Sequence, residues 1–130
     1  MNDSGDILAH DRWITDERLS GVIGCGACLV CREDGAFAGW MRWNWLWENT
    51  PFLNEMYLLE PYRGKGYGRL MMSEWERLMI VQGYRLAMVS TQQNEYAQHF
   101  YEHIGYRAVG GFVQQNGDYE IIMTKSLAVD

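Results

Sequence analysis

The stretch that decides the fold of this chain is Arg63-Gly64-Lys65-Gly66-Tyr67-Gly68-Arg69. It follows a predicted strand at residues 53–59 and opens a predicted helix. The first amides of a helix lack acceptors within the helix, and the helix dipole favours negative charge there. The three glycines allow the backbone to approach an anion closely, and the three cations add positive charge. The stretch therefore predicts a phosphate-binding turn; a glycine turn whose cations only meet solvent is the alternative.

Neither common nucleotide-binding pattern fits this turn. A P-loop needs a glycine followed by lysine and then by serine or threonine, which no glycine here has. The dinucleotide fingerprint is Gly-x-Gly-x-x-Gly, and the spacing of Gly64, Gly66 and Gly68 brings the third glycine one residue early. The preceding strand also follows a meander of strands instead of opening a βαβ unit. The turn thus predicts a phosphate ligand held in some other fold.

Outward from the turn, the chain reads as a mixed α/β (α+β) protein. In chain order the predicted elements are a short helix at 15–19, strands at 27–32, 37–47 and 53–59, a helix from about residue 70 that Gly83 ends, a strand at 86–90, a helix at 97–104, and a hairpin of strands at 109–113 and 119–124 around Asn116-Gly117. The second and third strands are expected to be antiparallel because their connection is short. Neither a repeat nor a linker is found, so we expect one domain over residues 1–130.

Composition and charge limit the classes of function. The chain has 130 residues, 48% of them hydrophobic, which is enough to bury a core without disulfides. The 11 Lys plus Arg and 17 Asp plus Glu give a net charge of −6, which disfavours broad nucleic-acid binding. No segment reaches the roughly 20 apolar residues of a membrane span, and the acidic start is unlike a signal peptide. We therefore expect a cytoplasmic protein with neither a nucleic-acid nor a membrane partner.

Two strings in the sequence resemble metal-binding motifs. Cys25, Cys28 and Cys31 have the spacing of an iron–sulfur run, but no fourth cysteine follows. On a strand, Cys28 and Cys31 would also lie on opposite faces. The string from His99 to His103 matches an inverted zinc-peptidase pattern, but no third ligand is evident. We expect reduced, buried thiols and no metal.

Two motifs in this order resemble those of the GNAT superfamily of N-acetyltransferases. Arg-x-x-Gly-x-Gly, which is similar to the family's loop for the acetyl-CoA pyrophosphate, stands here as Arg63, Gly66 and Gly68. The family's second pattern follows one helix and one strand later, as Asn94, Ala97, Phe100, Tyr101, Gly105 and Tyr106. Together they span residues 53–106, about half of the chain. The resemblance implies a mixed, mostly antiparallel central sheet flanked by helices, with an N-terminal helical region shorter than the family usually has.

A small bacterial branch of the family is expected to carry a Trp-x-Arg-Trp-Asn-x-x-Trp strand, present here as Trp40, Arg42, Trp43, Asn44 and Trp47. Within it, Trp43, Asn44 and Trp47 are candidates for binding the acceptor. A stacking platform for nucleic acid is the alternative, which the net charge disfavours. We expect the strand instead to line the core and the acceptor pocket, and an aromatic pocket would suit an apolar or cationic acceptor.

The resemblance implies direct transfer of the acetyl group from acetyl-CoA to a primary amine in a ternary complex. The pyrophosphate would be held by Arg63, Gly64, Lys65, Gly66, Tyr67, Gly68 and Arg69. The strand backbone near Leu58 would pair with the pantetheine arm, and an N–H there would polarise the thioester carbonyl. A splay between this strand and the strand at 86–90 would admit the thioester. Asn94 would face the cofactor arm, or would only cap its helix.

Acid and base roles fall to two residues. Tyr101 resembles the family's general acid, which protonates the departing CoA thiolate; from its position on an apolar helix face, it is also suited to core packing. Glu55 is the first candidate for the base that takes the proton of the amine, with Glu48 and His10 as alternatives. Some family members have their base at the position of Phe52.

The acceptor is expected to be a small-molecule or peptide amine of unidentified structure. The short N-terminal region and the abundant tryptophan make a homodimer plausible. A non-catalytic acyl-CoA-binding or regulatory module is the alternative function, since the base is uncertain while the cofactor turn is present.

Overall fold

The computed structural model of this chain describes residues 27–92 and 96–127. Within these residues the strands are β1 (Cys28–Glu33), β2 (Ala36–Leu46), β3 (Thr50–Leu58), β4 (Leu86–Gln92), β5 (Arg107–Val113) and β6 (Tyr119–Ser126), and the helices are α1 (Tyr67–Val81) and α2 (Tyr96–His103), with one turn of 3-10 helix at Glu60–Tyr62. The elements predicted beyond residue 26 are confirmed, with ends that differ by up to three residues. The predicted helix at 15–19 lies outside the described residues.

The strands form one mixed sheet in the order β1-β2-β3-β4-β6-β5. The pairings β1–β2, β2–β3, β4–β6 and β5–β6 are antiparallel. Only β3 and β4 run parallel among the described strands, and α1 makes the crossover between them. The prediction of a mostly antiparallel sheet flanked by helices is therefore confirmed. The N-terminal region ahead of β1 lies outside the described residues.

Both helices cover the same face of the sheet. Trp75 of α1 packs on Trp43 of β2 with the ring centroids 6.2 Å apart. The hydroxyl of Tyr106, just after α2, donates to Glu76 of α1 at 2.9 Å. The predicted apolar face of α2, made by Ala97, Phe100, Tyr101 and Ile104, packs into this core as expected.

Leu70, Met71, Trp75, Leu78 and Met79 recur at helical spacing and predict the apolar face of α1, and this prediction is wrong for Leu70. Leu70 is 64% exposed, whereas Met72 is buried beside Met71, Trp75 and Met79. Leu70 lies in the first turn of α1, and its helical spacing alone does not bring it into the core. Arg69 is also exposed at this end of α1, and it is the last residue of the stretch 63–69, which we call the glycine turn.

The opposite face of the sheet holds a second cluster, in which Trp40 is fully buried against Cys28, Val30, Phe37 and Tyr57. Cys31 packs on the helix-covered face, so Cys28 and Cys31 lie on opposite faces as predicted. Burial raises the pKa of the Cys28 thiol to about 11, while the charge of Arg42 opposes this rise. Both described cysteines are free thiols; Cys25 lies outside the described residues.

Across residues 27–92 and 96–127, no three His, Cys, Asp or Glu side chains are grouped so that they could hold a metal ion. The helices of that same part of the chain lack the length and apolar character needed to cross a membrane.

Candidate active site

A gap opens in the middle of the sheet between β3 and β4. The two strands pair at Phe52 and Met88 alone. Directly after this pair, β3 carries a β-bulge: Trp43 of β2 faces Leu53, and Arg42 faces Glu55, so Asn54 is the extra residue. A bulge bends its strand and increases its twist. Past Asn54, β3 makes no further pair with β4, and this is the splay expected between these two strands.

A cavity of about 370 Å³ fills the gap. Its lining comes from β3, β4, α2, β6 and the β5–β6 connection, and consists of Leu53, Asn54, Glu55, Met56, Ser90, Thr91, Gln92, Ala97, Tyr101, Gln114 and Glu120. These residues are distant in sequence, and the fold brings them together because four elements surround one opening.

The cavity has an apolar side and a polar side because the gap passes through the sheet. Side chains alternate between the two faces of a strand. Leu53 and Met56 of β3 pack with Ala97 and Tyr101 on the helix-covered face. Ile121 of β6 packs on that face too, so the neighbouring Glu120 points to the other face, as Ser90 and Gln92 of β4 do. One side of the opening is thus mostly apolar, and the other carries amide, hydroxyl and carboxylate groups.

Tyr101 lines the cavity from α2 and is only 7% exposed. Its ring makes edge contacts with Phe100 and Tyr106, at centroid distances of 5.4 and 5.8 Å. Among the described residues, no hydrogen-bond partner of its hydroxyl is found. Burial raises the pKa of this phenol well above its usual value, and the carboxylates of Glu55 and Glu120 raise it further. Tyr101 is therefore both a packing residue and a protonated donor at the cavity.

The glycine turn has the backbone of an anion site. Gly64 and Gly66 have φ angles of +76° and +87°, which L side chains rarely adopt. The first helical bond of α1 runs from Leu70 N–H to Gly66 O at 3.1 Å, and no side chain caps this helix end. The amides of Tyr67, Gly68 and Arg69 therefore precede the first bond of the helix.

Two of the three glycines of the turn are required by backbone conformation. A Cβ on Gly64 or Gly66 would meet nothing within 4 Å, so backbone conformation alone requires glycine there. Gly68 lies within α1, and a Cβ there would stand 3.5 Å from Phe100, an ordinary contact. The space outside Gly64 and Gly66 is open, as close approach of a ligand to the backbone requires.

Two cations of the turn have partners within the protein. Arg63 donates from Nε to the carbonyl oxygen of Leu58 at 2.8 Å, and its guanidinium lies 5.2 Å from the ring centroid of Tyr57. Lys65 Nζ lies 3.6 Å from Glu33. The sequence analysis treated both side chains only as positive charge. The structure shows that Arg63 also links the turn to the end of β3 through its hydrogen bond to Leu58.

Glu33 is a neighbour of the turn that the sequence analysis missed. It ends β1, and besides Lys65 it meets Tyr67, whose pKa is raised first by a hydrogen bond to this carboxylate. Glu33 is about thirty residues away in sequence, and no pattern in its surroundings marks it. Its position results from the β1–β2 hairpin, which lies over the turn.

The backbone of Leu58 faces the gap. Leu59 donates its N–H to Ala38 of β2 at 2.9 Å. Because successive residues of an antiparallel strand direct their N–H and C=O groups to opposite edges, the amides of Leu58 and Met56 lie on the edge toward β4. The Leu58 carbonyl is already taken by Arg63, which leaves an N–H group as the donor on this edge.

Gly39 of β2 is a second residue that the sequence analysis missed. It pairs with Leu58, and a Cβ at Gly39 would overlap the carbonyl oxygen of Tyr57 and the side chain of Leu58. This glycine permits β2 to approach the part of β3 that leads to the gap. A glycine inside an aromatic strand was the available signal, because such a glycine often marks close backbone approach.

Of the candidate bases, Glu55 lines the cavity, whereas Glu48 lies exposed in the β2–β3 turn with a φ of 62°. Glu55 faces the buried Arg42 across the β2–β3 pair. Phe52 forms the pair that ends the contact between β3 and β4. His10 and Asn94 lie outside the described residues.

The three candidate acceptor-binding residues of β2 do not come together. Trp43 is 2% exposed and packs on Trp75, so its ring offers no surface to an acceptor, and we assign it to the core. Asn44 is exposed on the opposite face, and Trp47 is 86% exposed in the β2–β3 turn. The reason is the strand period of two, which sends adjacent side chains to opposite faces. The prediction that the tryptophan strand lines the core is confirmed for Trp40 and Trp43.

Comparison with known proteins supports the fold independently. Ard1 from Thermoplasma volcanium has a similar structure, with a TM-score of 0.82 at 13% identity, covering 93% of this chain and 85% of that chain. The ribosomal-protein-S18-alanine N-acetyltransferase from Escherichia coli gives a TM-score of 0.74 at 15% identity, covering 93% and 82%. The PaiA N-acetyltransferase from Thermoplasma acidophilum, solved in complex with coenzyme A, gives 0.71 at 22% identity, covering 86% and 71%. These likenesses show the fold.

No curated protein is a significant sequence match to this chain. The model of the acetyltransferase (GNAT) family, however, matches residues 6–106, which include the glycine turn, the splayed strands and Tyr101. The family that the two sequence motifs resemble and the family whose fold the structure has are thus the same. This chain belongs to the acetyltransferase (GNAT) family.

Proposed function

We propose that this chain transfers the acetyl group of acetyl-CoA directly to a primary amine, with no acyl-enzyme. The observation that carries the proposal is the gap between β3 and β4. The hydroxyl-bearing Tyr101 and the carboxylate of Glu55 line one cavity there, beside the strand that leads into the glycine turn. An acid and a base are thus available around one opening, which suits transfer in a ternary complex.

The residues present fit the cosubstrate. The first amides of α1 and the open space at Gly64 and Gly66 suit the pyrophosphate, as does the charge of Arg69. Arg63 and Lys65 stay predicted contacts, each already held by a protein partner. The edge of β3 at Leu58 suits a strand-like pairing with the pantetheine arm. Acetyl-CoA supplies the acetyl group as a thioester, whose C–S bond breaks as the new C–N bond forms.

Each protein group then has a defined task. A primary amine in water has a pKa of about 10, so it reaches the cavity protonated and must lose a proton before it attacks. Glu55 accepts that proton and passes it to solvent. The N–H of Leu58 or Met56 donates to the carbonyl oxygen as negative charge develops on it. Tyr101, whose raised pKa keeps it protonated at physiological pH, donates its proton to the leaving sulfur. The nitrogen loses its second proton to solvent as the amide forms, and solvent restores the proton of Tyr101, so that one proton is released in the whole reaction.

The proposal is tested by following thiol release from acetyl-CoA with and without a panel of primary amines. The expected result is amine-dependent release together with one acetylated product per thiol. Thermal unfolding with acetyl-CoA, NAD and ATP gives an independent reading of the turn. A ligand at about 100 times its dissociation constant adds about 2.7 kcal/mol to the free energy of unfolding. Stabilisation by acetyl-CoA without any amine-dependent release would instead identify the chain as a binding module.

A homodimer and a cytoplasmic location stay predictions.

A further inference from the structure

We propose that the acceptor carries a second cationic group besides the amine that is acetylated, as a diamine does, and that Glu120 binds this group. The inference rests on the proposed function, and it names the class of acceptor. It assigns to Glu120 a role in specificity that neither the motifs nor the family match carries.

Glu120 lines the polar side of the cavity from β6, and Glu55 lines it from β3. The strand β4 lies between them in the sheet. Paired strands are about 4.8 Å apart, and β3 splays away from β4 at this opening, so the two backbones stand at least about 10 Å from each other. The two carboxylates therefore flank the cavity from opposite sides and leave room between them for a short, flexible molecule.

Among the described residues that line the cavity, the charged ones are all acidic. Among the described residues that line it there is no lysine, arginine or histidine. Glu55 is the register partner of Arg42, a cation on the neighbouring strand β2. Glu120 instead accepts a hydrogen bond at 3.0 Å from the neutral side-chain amide of Gln114. That bond orients the Glu120 carboxylate without neutralising it, and an ammonium group is the ligand that such a carboxylate attracts.

Tyr101 marks the reacting centre on the apolar side of the cavity that both carboxylates line. Its hydroxyl belongs to a nearly buried side chain, lines the cavity and has no hydrogen-bond partner among the described residues. Both Glu55 and Glu120 are near enough to raise the pKa of this phenol. The same point of the cavity thus experiences both charges, so an amine that reacts there with one nitrogen can bring a second nitrogen to Glu120.

The test compares three acceptors that share a four-carbon chain: 1,4-diaminobutane, butylamine and 4-aminobutanoate. They carry a second ammonium, no second charge, and a carboxylate, respectively. A hydrogen bond to a charged group contributes about 1.5–3 kcal/mol, so kcat/KM for the diamine should exceed that for butylamine by about 10-fold or more. The carboxylate compound should be the poorest. The gain should lie in KM, because the contact between Glu120 and the second nitrogen is expected to be equally strong in the bound substrate and in the transition state.

Variants of Glu120 then locate the effect. Glu120→Gln should abolish the preference for the diamine, and Glu120→Asp, which keeps the charge, should restore part of it. Glu102→Gln is the matched control: it removes the same charge from the exposed face of α2, outside the cavity, and should leave the preference intact. Melting temperatures of all variants exclude a folding defect as the cause.

Equal kcat/KM for the diamine and butylamine, or a preference that survives Glu120→Gln, would overturn the inference while leaving the proposed function standing. If none of the three amines releases thiol although acetyl-CoA stabilises the chain, the inference and the proposed transfer fall together.

Discussion

The glycine turn and the cavity beside it differ in the groups that they offer to a ligand. The turn presents backbone amides, held in place by two glycines with positive φ. The cavity presents side chains, brought together by four elements around a break in the sheet. We therefore expect cofactor affinity to depend on backbone conformation, and turnover and acceptor choice to depend on individual functional groups. The following predictions sharpen or break that comparison.

The largest effect is expected at Tyr101. Tyr101→Phe removes the hydroxyl and keeps the ring in the core, so kcat should fall by about 100-fold or more, the usual contribution of a general acid. Affinity for acetyl-CoA, measured by calorimetry, should stay within about 2-fold, because the turn is untouched. Tyr96→Phe, at the exposed start of α2, removes the same group away from the cavity and should leave turnover unchanged. A Tyr101→Phe variant that turns over like the wild type would show that this phenol only packs.

Two alanine substitutions in the glycine turn test whether its backbone conformation determines the affinity for acetyl-CoA. Gly66→Ala places a Cβ on a left-handed residue at a cost of about 1–2 kcal/mol, which the turn can relieve only by moving its amides. Affinity for acetyl-CoA should fall about 10-fold, with kcat little changed at saturation. Gly68→Ala lies in regular helix with room for the Cβ and should weaken binding by less than about 2-fold. Equal losses at the two positions would argue that ligand contact, not backbone conformation, sets the requirement.

Alkaline pH should lower the stability of the fold that holds both regions, because several groups of its interior have raised pKa values. The pKa values of Cys28, Tyr101 and Tyr106 are all raised in the folded chain, by burial first. The unfolded chain then releases these protons at lower pH, so the free energy of unfolding is intact below about pH 9 and falls as pH rises through the raised values. Each group contributes at most about 1.4 kcal/mol per pH unit, and Cys28 less, since it is partly exposed.

Denaturant unfolding between pH 8 and 11 measures this slope. Tyr106→Phe should flatten it at the upper end, although this variant also loses the hydrogen bond to Glu76 and starts from lower stability. Stability that is constant up to pH 11 would contradict the burial of these groups.

The smallest effect is expected at Glu33. Its ion pair with Lys65 competes with a bound phosphate for the same ammonium. Exposed pairs of this kind are worth up to about 1 kcal/mol, so Glu33→Gln should tighten acetyl-CoA binding by up to about 5-fold at low salt, and less at high salt. Glu74→Gln breaks a comparable exposed pair with Arg77, on α1 and away from the turn, and should have no such effect. Weaker binding in Glu33→Gln would mean that Glu33 instead holds the turn in its binding conformation.

Features that depend on residues close together in the sequence could be predicted, whereas features that depend on residues far apart could not. The turn at residues 63–69 and the apolar face of α2 were predicted correctly because backbone preference and helical spacing act over a few residues. For Trp43, the prediction of a place in the core is confirmed, whereas its surface is not open to an acceptor, because the covered face of the sheet depends on where the helices pack. Glu33, Gly39 and Glu120 were missed because each acts on residues far along the chain.

By itself, the sequence determined where the chain turns, where α1 begins, and which two motifs stand in the order of an acetyltransferase. Only the tertiary structure decided that β3 leaves β4 after Phe52, that Glu33 meets Lys65, and that Glu55 and Glu120 share one cavity. The physical reason is that strand register and the bulge at Asn54 come from the packing of the whole sheet. A single step in register would send these side chains to the other face, and no local pattern sets that step.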